Sequence, residues 1–495
     1  MNTPLRRVGL TMLVMLVLLL ANITYIQMVK ADDYRADARN QRVLFDEYSR
    51  ERGKIISSDN KLVAMVTPTN DRLRFLRQYP LGAAFAPITG YYSVRYGATA
   101  LERSEKEILD GSDDRLFVRR LSDLITGRDP RGGNIQTTVD SRIQQVAYDG
   151  MTASGYTGAV VALRPQTGEI LAMVSTPSYD PNPLSSHSGD EQEKAWNNYI
   201  ADKQAKPLVN RAIRETYQPG STFKLVIAAA ALEDGMTKDE QLTAANEVQL
   251  PGTRDADLEN FAGGHCGPGD SPTASLELAL SISCNTAFAE LAGKLGADKL
   301  REQAAKFGIG QTDLQIPMGV AASSIGPLPD QAAIYQTGIG QRDARVTPLQ
   351  DAMIAAAIAN GGVLMRPQLV QKVLAPDLSE MSKFDADELG RAMSTSNANA
   401  LRDMMKKSED NTRGNGKVNG LSIASKTGTA EHGFDPKNTP PHAWYVAFAP
   451  ADNPQIAVAV LVENGGNRGL AATGATVAAS IGRATINAMP GIGGR

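Results

Sequence analysis

Tyr217-Gln218-Pro219-Gly220-Ser221-Thr222-Phe223-Lys224-Leu225-Val226-Ile227-Ala228-Ala229-Ala230-Ala231-Leu232 is a chain breaker followed by a run that is apolar on every side. A helix apolar all round belongs in a core. Its start, at Pro-Gly-Ser, reaches the wall of the fold, where the first backbone N–H groups have no helical partner and point outward. Ser221 and Lys224 stand three residues apart, on one helix face, so amine and hydroxyl can meet. Ser58-Asp59-Asn60-Lys61 repeats the Ser-x-x-Lys spacing but follows Ile55-Ile56 and consists of turn formers. It reads as a hairpin turn, with no buried helix to carry its lysine.

Two further motifs follow in order: Ser283-Cys284-Asn285 and Lys426-Thr427-Gly428-Thr429. None of the three is persuasive alone; their order and wide spacing make the set specific. Ser221 is the candidate nucleophile and Lys224 its base. An ordinary lysine is a poor base at neutral pH, but burial and a neighbouring cation both favour its neutral form. The apolar helix supplies the burial, and Lys426 is the candidate neighbour. Ser283 is the candidate proton relay, and Asn285 can both donate to and accept from a substrate amide. Lys426, with the hydroxyls of Thr427 and Thr429, suits a terminal carboxylate, and Gly428 would let a substrate backbone approach the strand. The backbone N–H groups of Ser221 and Thr429 are the candidate oxyanion donors. The set describes a serine acyl-transferase without histidine or metal. His187, His265, His432 and His442 show no ligand spacing, so no metal or other cofactor is expected.

Working outward, Ala159–Leu163 and Glu169–Val174 flank Pro165-Gln166-Thr167-Gly168 as a β-hairpin. The chain from about Ser221 to Asn360 is mostly helical. Strands return at Leu421–Glu431, Ala443–Ala449 and Ile456–Val462, followed by a small-residue helix from about Ala471 to Ala488. Strands from both ends of this region would form one antiparallel sheet covered by helices, an α+β fold with the catalytic helix between the layers. Before it, Arg52–Ile56 and Leu62–Val66 read as short strands, and Thr137–Asp140 as a strand entering a helix capped by Asp140. The expected domains are a tail at 1–7, an anchor at 8–29, a smaller mixed α/β pedestal at 30–150, the sheet-and-helix domain at 151–489, and a disordered tail at 490–495.

The chain has 495 residues and a net charge of −3, so no broad basic surface invites nucleic acid. From Val8 to Val29 about 22 residues carry no charge, enough for one transmembrane helix. Arg6 and Arg7 ahead of it favour a cytoplasmic N-terminus with the remainder outside the cell membrane; a cleaved signal peptide is the rival reading. Outside, Cys266 and Cys284 can form one bridge, which would restrain the second motif; two small buried thiols are the alternative.

The three motifs together resemble those of penicillin-recognising serine enzymes. Arg52-Gly53-Lys54-Ile55 with Leu62-Val63-Ala64, and Tyr96-Gly97-Ala98-Thr99-Ala100-Leu101-Glu102, look like the pedestal signatures of class B penicillin-binding proteins. Asn210-Arg211-Ala212, Thr347-Pro348-Leu349-Gln350 and Ala359-Asn360-Gly361-Gly362 are similar to stretches of their transpeptidase domain. The compact length and the cysteine within Ser-Cys-Asn resemble the A-type actinobacterial members.

The resemblance implies a penicillin-binding, β-lactamase-like fold that cross-links peptidoglycan stem peptides through an acyl-serine with release of D-Ala. It also implies β-lactam antibiotics as covalent inhibitors, a role in cell-wall synthesis, and a membrane glycosyltransferase as partner. D,D-carboxypeptidase activity is the alternative within enzymes. A membrane-anchored β-lactam sensor would need a cytoplasmic output module, and a catalytically idle scaffold would not need the complete motif set.

Overall fold

The computed structural model describes residues 2–30, 48–117, 125 and 131–492. The helix Asn2–Met28 holds 27 residues and stands clear of the rest, with Leu13, Leu16 and Leu20 among its exposed apolar side chains. At 1.5 Å per residue it is ~40 Å long, enough to cross a hydrocarbon core. Residues 31–51 are charged and helix-prone by sequence; of these, 31–47 lie outside the described residues.

The pedestal is built on a six-stranded sheet in the order 380–383, 370–374, 134–137, 55–56, 62–68, 75–78. Ile55–Ile56 runs parallel to Asn134–Thr137 and antiparallel to Leu62–Pro68. The turn between the two antiparallel strands is the Ser-Asp-Asn-Lys decoy. It is closed by the Ser57 amide on the Lys61 carbonyl at 2.9 Å, with Asn60 at φ +64°. Asp59 accepts from Ser57 Oγ at 2.6 Å and from the Ser141 amide at 3.0 Å, so the decoy pins the pedestal to the next domain.

The two pedestal signatures meet in space. Arg52 Nε and Arg77 Nε each lie 2.6 Å from one oxygen of Glu102, and all three side chains are buried. Tyr79 donates to the same carboxylate at 3.1 Å, and the Arg52 guanidinium stacks 4.0 Å over the Tyr92 ring. Burial alone would push the Glu102 carboxyl up; Arg77 and Arg52 outweigh it and hold the group ionised. Removing one partner from such a buried cluster costs ~3–5 kcal/mol, because it leaves an uncompensated charge.

Two features displace the boundary expected at 150/151. Strands Val370–Leu374 and Glu380–Lys383, which the sequence reading does not anticipate, complete the pedestal sheet from deep within the larger domain. Conversely, the helix Ser141–Thr152 packs on the larger domain's sheet. Asp140 caps it as expected, accepting from the Arg142 and Ile143 amides. Ile143, Ala147 and Met151 recur at four-residue spacing, and that stripe faces Val160, Val174 and Val458.

The larger domain is a five-stranded antiparallel sheet in the order 424–430, 442–449, 456–462, 158–163, 170–176. Strands from both ends of the domain are joined where Ala459 faces Val161. His442–Ala449 and Ile456–Val462 are buried throughout, so they read as unbroken apolar runs. Helices cover both faces. Ser141–Thr152 and Ala479–Asn487 lie on one, Pro348–Ala359 and the helical middle on the other. The helix Lys224–Glu233 sits inside that middle, against Asn285–Lys306 and Thr395–Asn411.

The helical middle also holds small two-stranded ladders, such as Glu247–Gln249 with Asp257–Glu259. The expected helix at 471–488 divides into a π turn, Gly474–Ala478, and an α-helix, Ala479–Asn487. Of the tail expected to be disordered, 490–492 form a turn that packs Ile492 against the core; 493–495 lie outside the described residues.

Candidate active site

The segment ahead of Ser221 is stapled on three sides. Tyr217 and Val346 exchange backbone hydrogen bonds at 2.9 Å, the Gly220 amide donates to the Gly340 carbonyl at 3.0 Å, and Trp444 Nε1 donates to the Gln218 carbonyl at 2.9 Å. Gly220–Phe223 then winds as a 3₁₀ turn before the α-helix starts at Lys224. In that tighter winding residues i and i+3 eclipse, which stacks Lys224 beneath Ser221. Ser221 is half-buried, and its hydroxyl has no hydrogen-bond partner among the described residues.

Lys224 Nζ lies 2.7 Å from the Ser283 carbonyl, 2.7 Å from Asn285 Oδ1 and 3.3 Å from Ser283 Oγ. Lys426 Nζ donates to Ser283 Oγ at 2.8 Å and to the Thr427 carbonyl at 2.8 Å. The structure thus brings together both lysines, Ser283 and Asn285 beside the Ser221 turn. Both lysines are fully buried. Burial, then the Lys426 charge, drives the Lys224 amine well below the ordinary lysine range; burial brings Lys426 down to about 7. A neutral lysine has two N–H donors and one lone pair. The two 2.7 Å bonds of Lys224 use both donors and leave the lone pair for a hydroxyl proton.

Ser283 holds a left-handed backbone, φ +65°. Such a conformation persists only when its surroundings over-determine it, and here they do. The Ser283 amide donates to Leu280 and the Cys284 amide to Ala279. A disulfide joins Cys284 to Cys266, 18 residues earlier. Just ahead of Cys266, outside the loop that the disulfide closes, stands Asn260, a residue that no motif marks in the sequence. Asn260 Oδ1 accepts from the Asn285 amide at 2.8 Å and the Thr286 amide at 3.0 Å, capping the helix that presents the second motif. Its amide nitrogen donates to the Ala245 and Gly264 carbonyls, each at 2.8 Å. Asn285 Nδ2 donates to the Glu259 carbonyl at 3.0 Å, which leaves its second N–H available.

Strand Ala424–Ala430 lies at the sheet edge, packed along the Ser221 turn. Thr427 and Thr429 are half-buried, alternating with buried Lys426 and Gly428. A side chain at Gly428 would lie 2.8 Å from the Pro219 carbonyl and 3.0 Å from the Thr222 methyl. The expectation that Gly428 clears space for a substrate backbone therefore needs correction: its missing side chain lets the third motif pack against the first. A side chain at Gly220 would lie 2.7 Å from the Thr429 carbonyl, so the segments bearing the two expected oxyanion donors abut. Behind the strand, Ser425 donates to Glu409 at 2.5 Å, and Glu409 in turn pairs with buried Arg483 at 2.7 Å.

Residues 158–487 match the family model for the penicillin binding protein transpeptidase domain, and residues 52–135 match that for the penicillin binding protein A dimerisation domain. The chain is 54% identical over 491 residues to the peptidoglycan D,D-transpeptidase PbpA of Mycobacterium tuberculosis, covering 99% of each chain. It is 29% identical to the peptidoglycan D,D-transpeptidase MrdA of Escherichia coli, covering 79% of this chain and 68% of that one. Among solved structures, the ceftriaxone acyl-enzyme complex of penicillin-binding protein A from M. tuberculosis superposes with a TM-score of 0.87 at 54% identity, covering 90% of this chain and 99% of that one. The penicillin G acyl-enzyme complex of the same protein gives 0.85 at 53% identity, covering 89% and 99%.

Proposed function

The chain belongs to the penicillin-binding-protein transpeptidase family, and from that premise we propose a role for each side chain of its site. The protein is a peptidoglycan D,D-transpeptidase that β-lactams inhibit covalently. Neutral Lys224 takes the proton of Ser221 Oγ as that oxygen attacks the carbonyl between the two terminal D-Ala residues. The backbone N–H groups of Ser221 and Thr429 receive the oxyanion. Lys426, with Thr427 and Thr429, holds the terminal carboxylate, and Asn285 orients the peptide. Ser283 passes the proton to the departing D-Ala amine, leaving an acyl ester on Ser221. An amine of a second stem peptide then attacks that ester, and the proton path runs in reverse.

The observation that carries this reading is the convergence of both lysine amines on Ser283 Oγ, at 3.3 and 2.8 Å. That hydroxyl can receive a proton from one side while being polarised from the other. Ser283→Ala should slow acylation by benzylpenicillin ~10²–10⁴-fold, the usual worth of one proton-transfer group, while the protein stays folded. A stopped-flow rate within about threefold of wild type would remove Ser283 from the path.

The apolar helix Asn2–Met28 is compatible with a membrane anchor. Arg6 and Arg7 support an N-terminus on the cytoplasmic side with the two domains outside. The likeness of residues 52–135 to a dimerisation domain, with the class B signatures they carry, supports a membrane glycosyltransferase as the partner that supplies its glycan strands. Purification of the anchored protein from native membranes without any glycan polymerase would count against that partnership.

A further inference from the structure

Along the strand Ala424–Ala430, Thr427 and Thr429 share one face, while Lys426, Gly428 and Ala430 take the other. Glu431 comes next, in step with the two threonines, and it is exposed. Its carboxylate enters no hydrogen bond or ion pair among the described residues. The reaction scheme above does not use it.

The free edge of this strand faces the cleft. The Thr427 carbonyl accepts from Lys426 Nζ at 2.8 Å, and the Thr429 carbonyl lies against Gly220. At Glu431 the same edge is already taken. The half-buried Gln341 pairs with the Glu431 backbone as a neighbouring strand would. Its Nε2 donates to the Glu431 carbonyl at 2.9 Å, and its Oε1 accepts from the Glu431 N–H at 3.1 Å, the orientation that serves both groups. Gln341 follows Gly340, whose carbonyl accepts from the Gly220 amide, so this plug and the Ser221 turn belong to one frame. The edge open to a pairing peptide therefore stops at Thr429.

A donor stem peptide has its terminal carboxylate at Lys426 and Thr427 and its scissile carbonyl at the Thr429 N–H. It thus lies antiparallel to the strand, and the residues ahead of its two D-Ala run past Thr429 toward Gln341 and Glu431. Its backbone finds no free partner there, so a side chain is what can be read. Glu431 stands five residues from Lys426, ~17 Å along an extended strand. That exceeds the ~8 Å over which exposed charges act at physiological salt. The strand has a cationic end and a separate anionic end. A donor carries the matching pair. Its C-terminus is a carboxylate, and as a copy of the acceptor it bears the same side-chain amine that the acceptor uses for attack. Of the basic groups in the adjoining loop, His432 Nε2 faces the Pro440 carbonyl at 2.9 Å, and its ring stacks on His442, which burial holds neutral.

We infer that Glu431 is a specificity-determining residue. Held by Gln341 at the end of the pairing edge, it takes the free ammonium of the donor's own side chain. The site then favours donors whose amine has not yet been used as an acceptor, because amide formation removes that charge. The inference rests on the reading of Lys426, Thr427 and Thr429 as the edge that holds the donor.

The test uses three penicillins that share one nucleus and one straight acyl chain of hexanoyl length, capped by an ammonium, a methyl group or a carboxylate. Their second-order acylation rate constants are compared at low and high salt for wild type, Glu431→Gln and Glu431→Lys. An exposed ion pair supports a modest preference. Wild type should take the ammonium compound about two- to fivefold faster than the methyl one, and the carboxylate compound slower, with both gaps closing at high salt. Glu431→Gln should bring the three rates together, and Glu431→Lys should reverse their order. Wild-type rates that are equal at low salt, or ratios unchanged in Glu431→Gln, overturn the inference. Each ratio is internal to one protein, so a variant that is slower overall still decides. Benzylpenicillin separates the two levels of the argument. A normal wild-type adduct with flat ratios defeats the role of Glu431 alone, whereas no adduct on wild-type Ser221 defeats the reading of the site.

Discussion

Ser221→Ala protein incubated with benzylpenicillin keeps its unmodified mass, while wild type gains a single stable adduct. The acyl bond can form only through an oxygen, and alanine removes it. Removing the nucleophile of a serine hydrolase costs on the order of 10⁶ in rate, so no partial labelling is expected on any practical timescale. The fold should barely respond. The Ser221 hydroxyl has no hydrogen-bond partner among the described residues, and the turn around it is held by backbone bonds of Tyr217 and Gly220 and by the Trp444 indole N–H. Thermal unfolding should therefore shift by no more than an ordinary surface substitution, within about 0.5 kcal/mol. An adduct in the variant would mean that another residue is acylated.

Lys224→Ala should reduce acylation about 10³- to 10⁴-fold, and Lys224→Arg should not restore it. A guanidinium stays protonated throughout the accessible pH range, so it returns the charge without the base. That contrast separates a base from a mere cation. The direction of the pH dependence follows from the same group. The base is active when unprotonated, and its amine lies well below the ordinary lysine range through burial and the Lys426 charge. The acidic limb of the wild-type profile should thus set in only on acidification through that lowered value. On the alkaline side the rate should decline above about 7, where Lys426 loses the charge that holds the carboxylate. A wild-type profile rising steadily to pH values near the ordinary lysine range of about 10.4 would refute the assignment of Lys224 as base.

The parts of the site that could be read from the chain are those whose chemistry is written in short local spacing. Ser221 and Lys224 are neighbours on one turn, and Lys426 to Thr429 lie on one strand, so the motif is the geometry. The all-apolar run after Lys224 already announced the burial that depresses its amine. Asn260 could not be read this way. It acts on Asn285 and Thr286 from a polar loop 25 residues upstream, in a stretch with no periodicity of its own. The pedestal strands at 370–383 were missed for another reason. Their burial alternates irregularly, with Lys372, Glu380 and Lys383 among them, which is the pattern of an outer strand and resembles a loop.

Those outer strands carry a consequence for how this protein could be recombined. A chimera that exchanged residues up to 140 for the equivalent part of a relative would leave behind the hairpin that completes the pedestal sheet. The donor's strand at Asn134–Thr137 would then have to pair with a foreign edge, in a register set by Val370 opposite Thr137 and Val373 opposite Ile135. The two domains are therefore not interchangeable cassettes. A graft that works has to carry Val370–Lys383 with it, as a second, separate piece of the transplant.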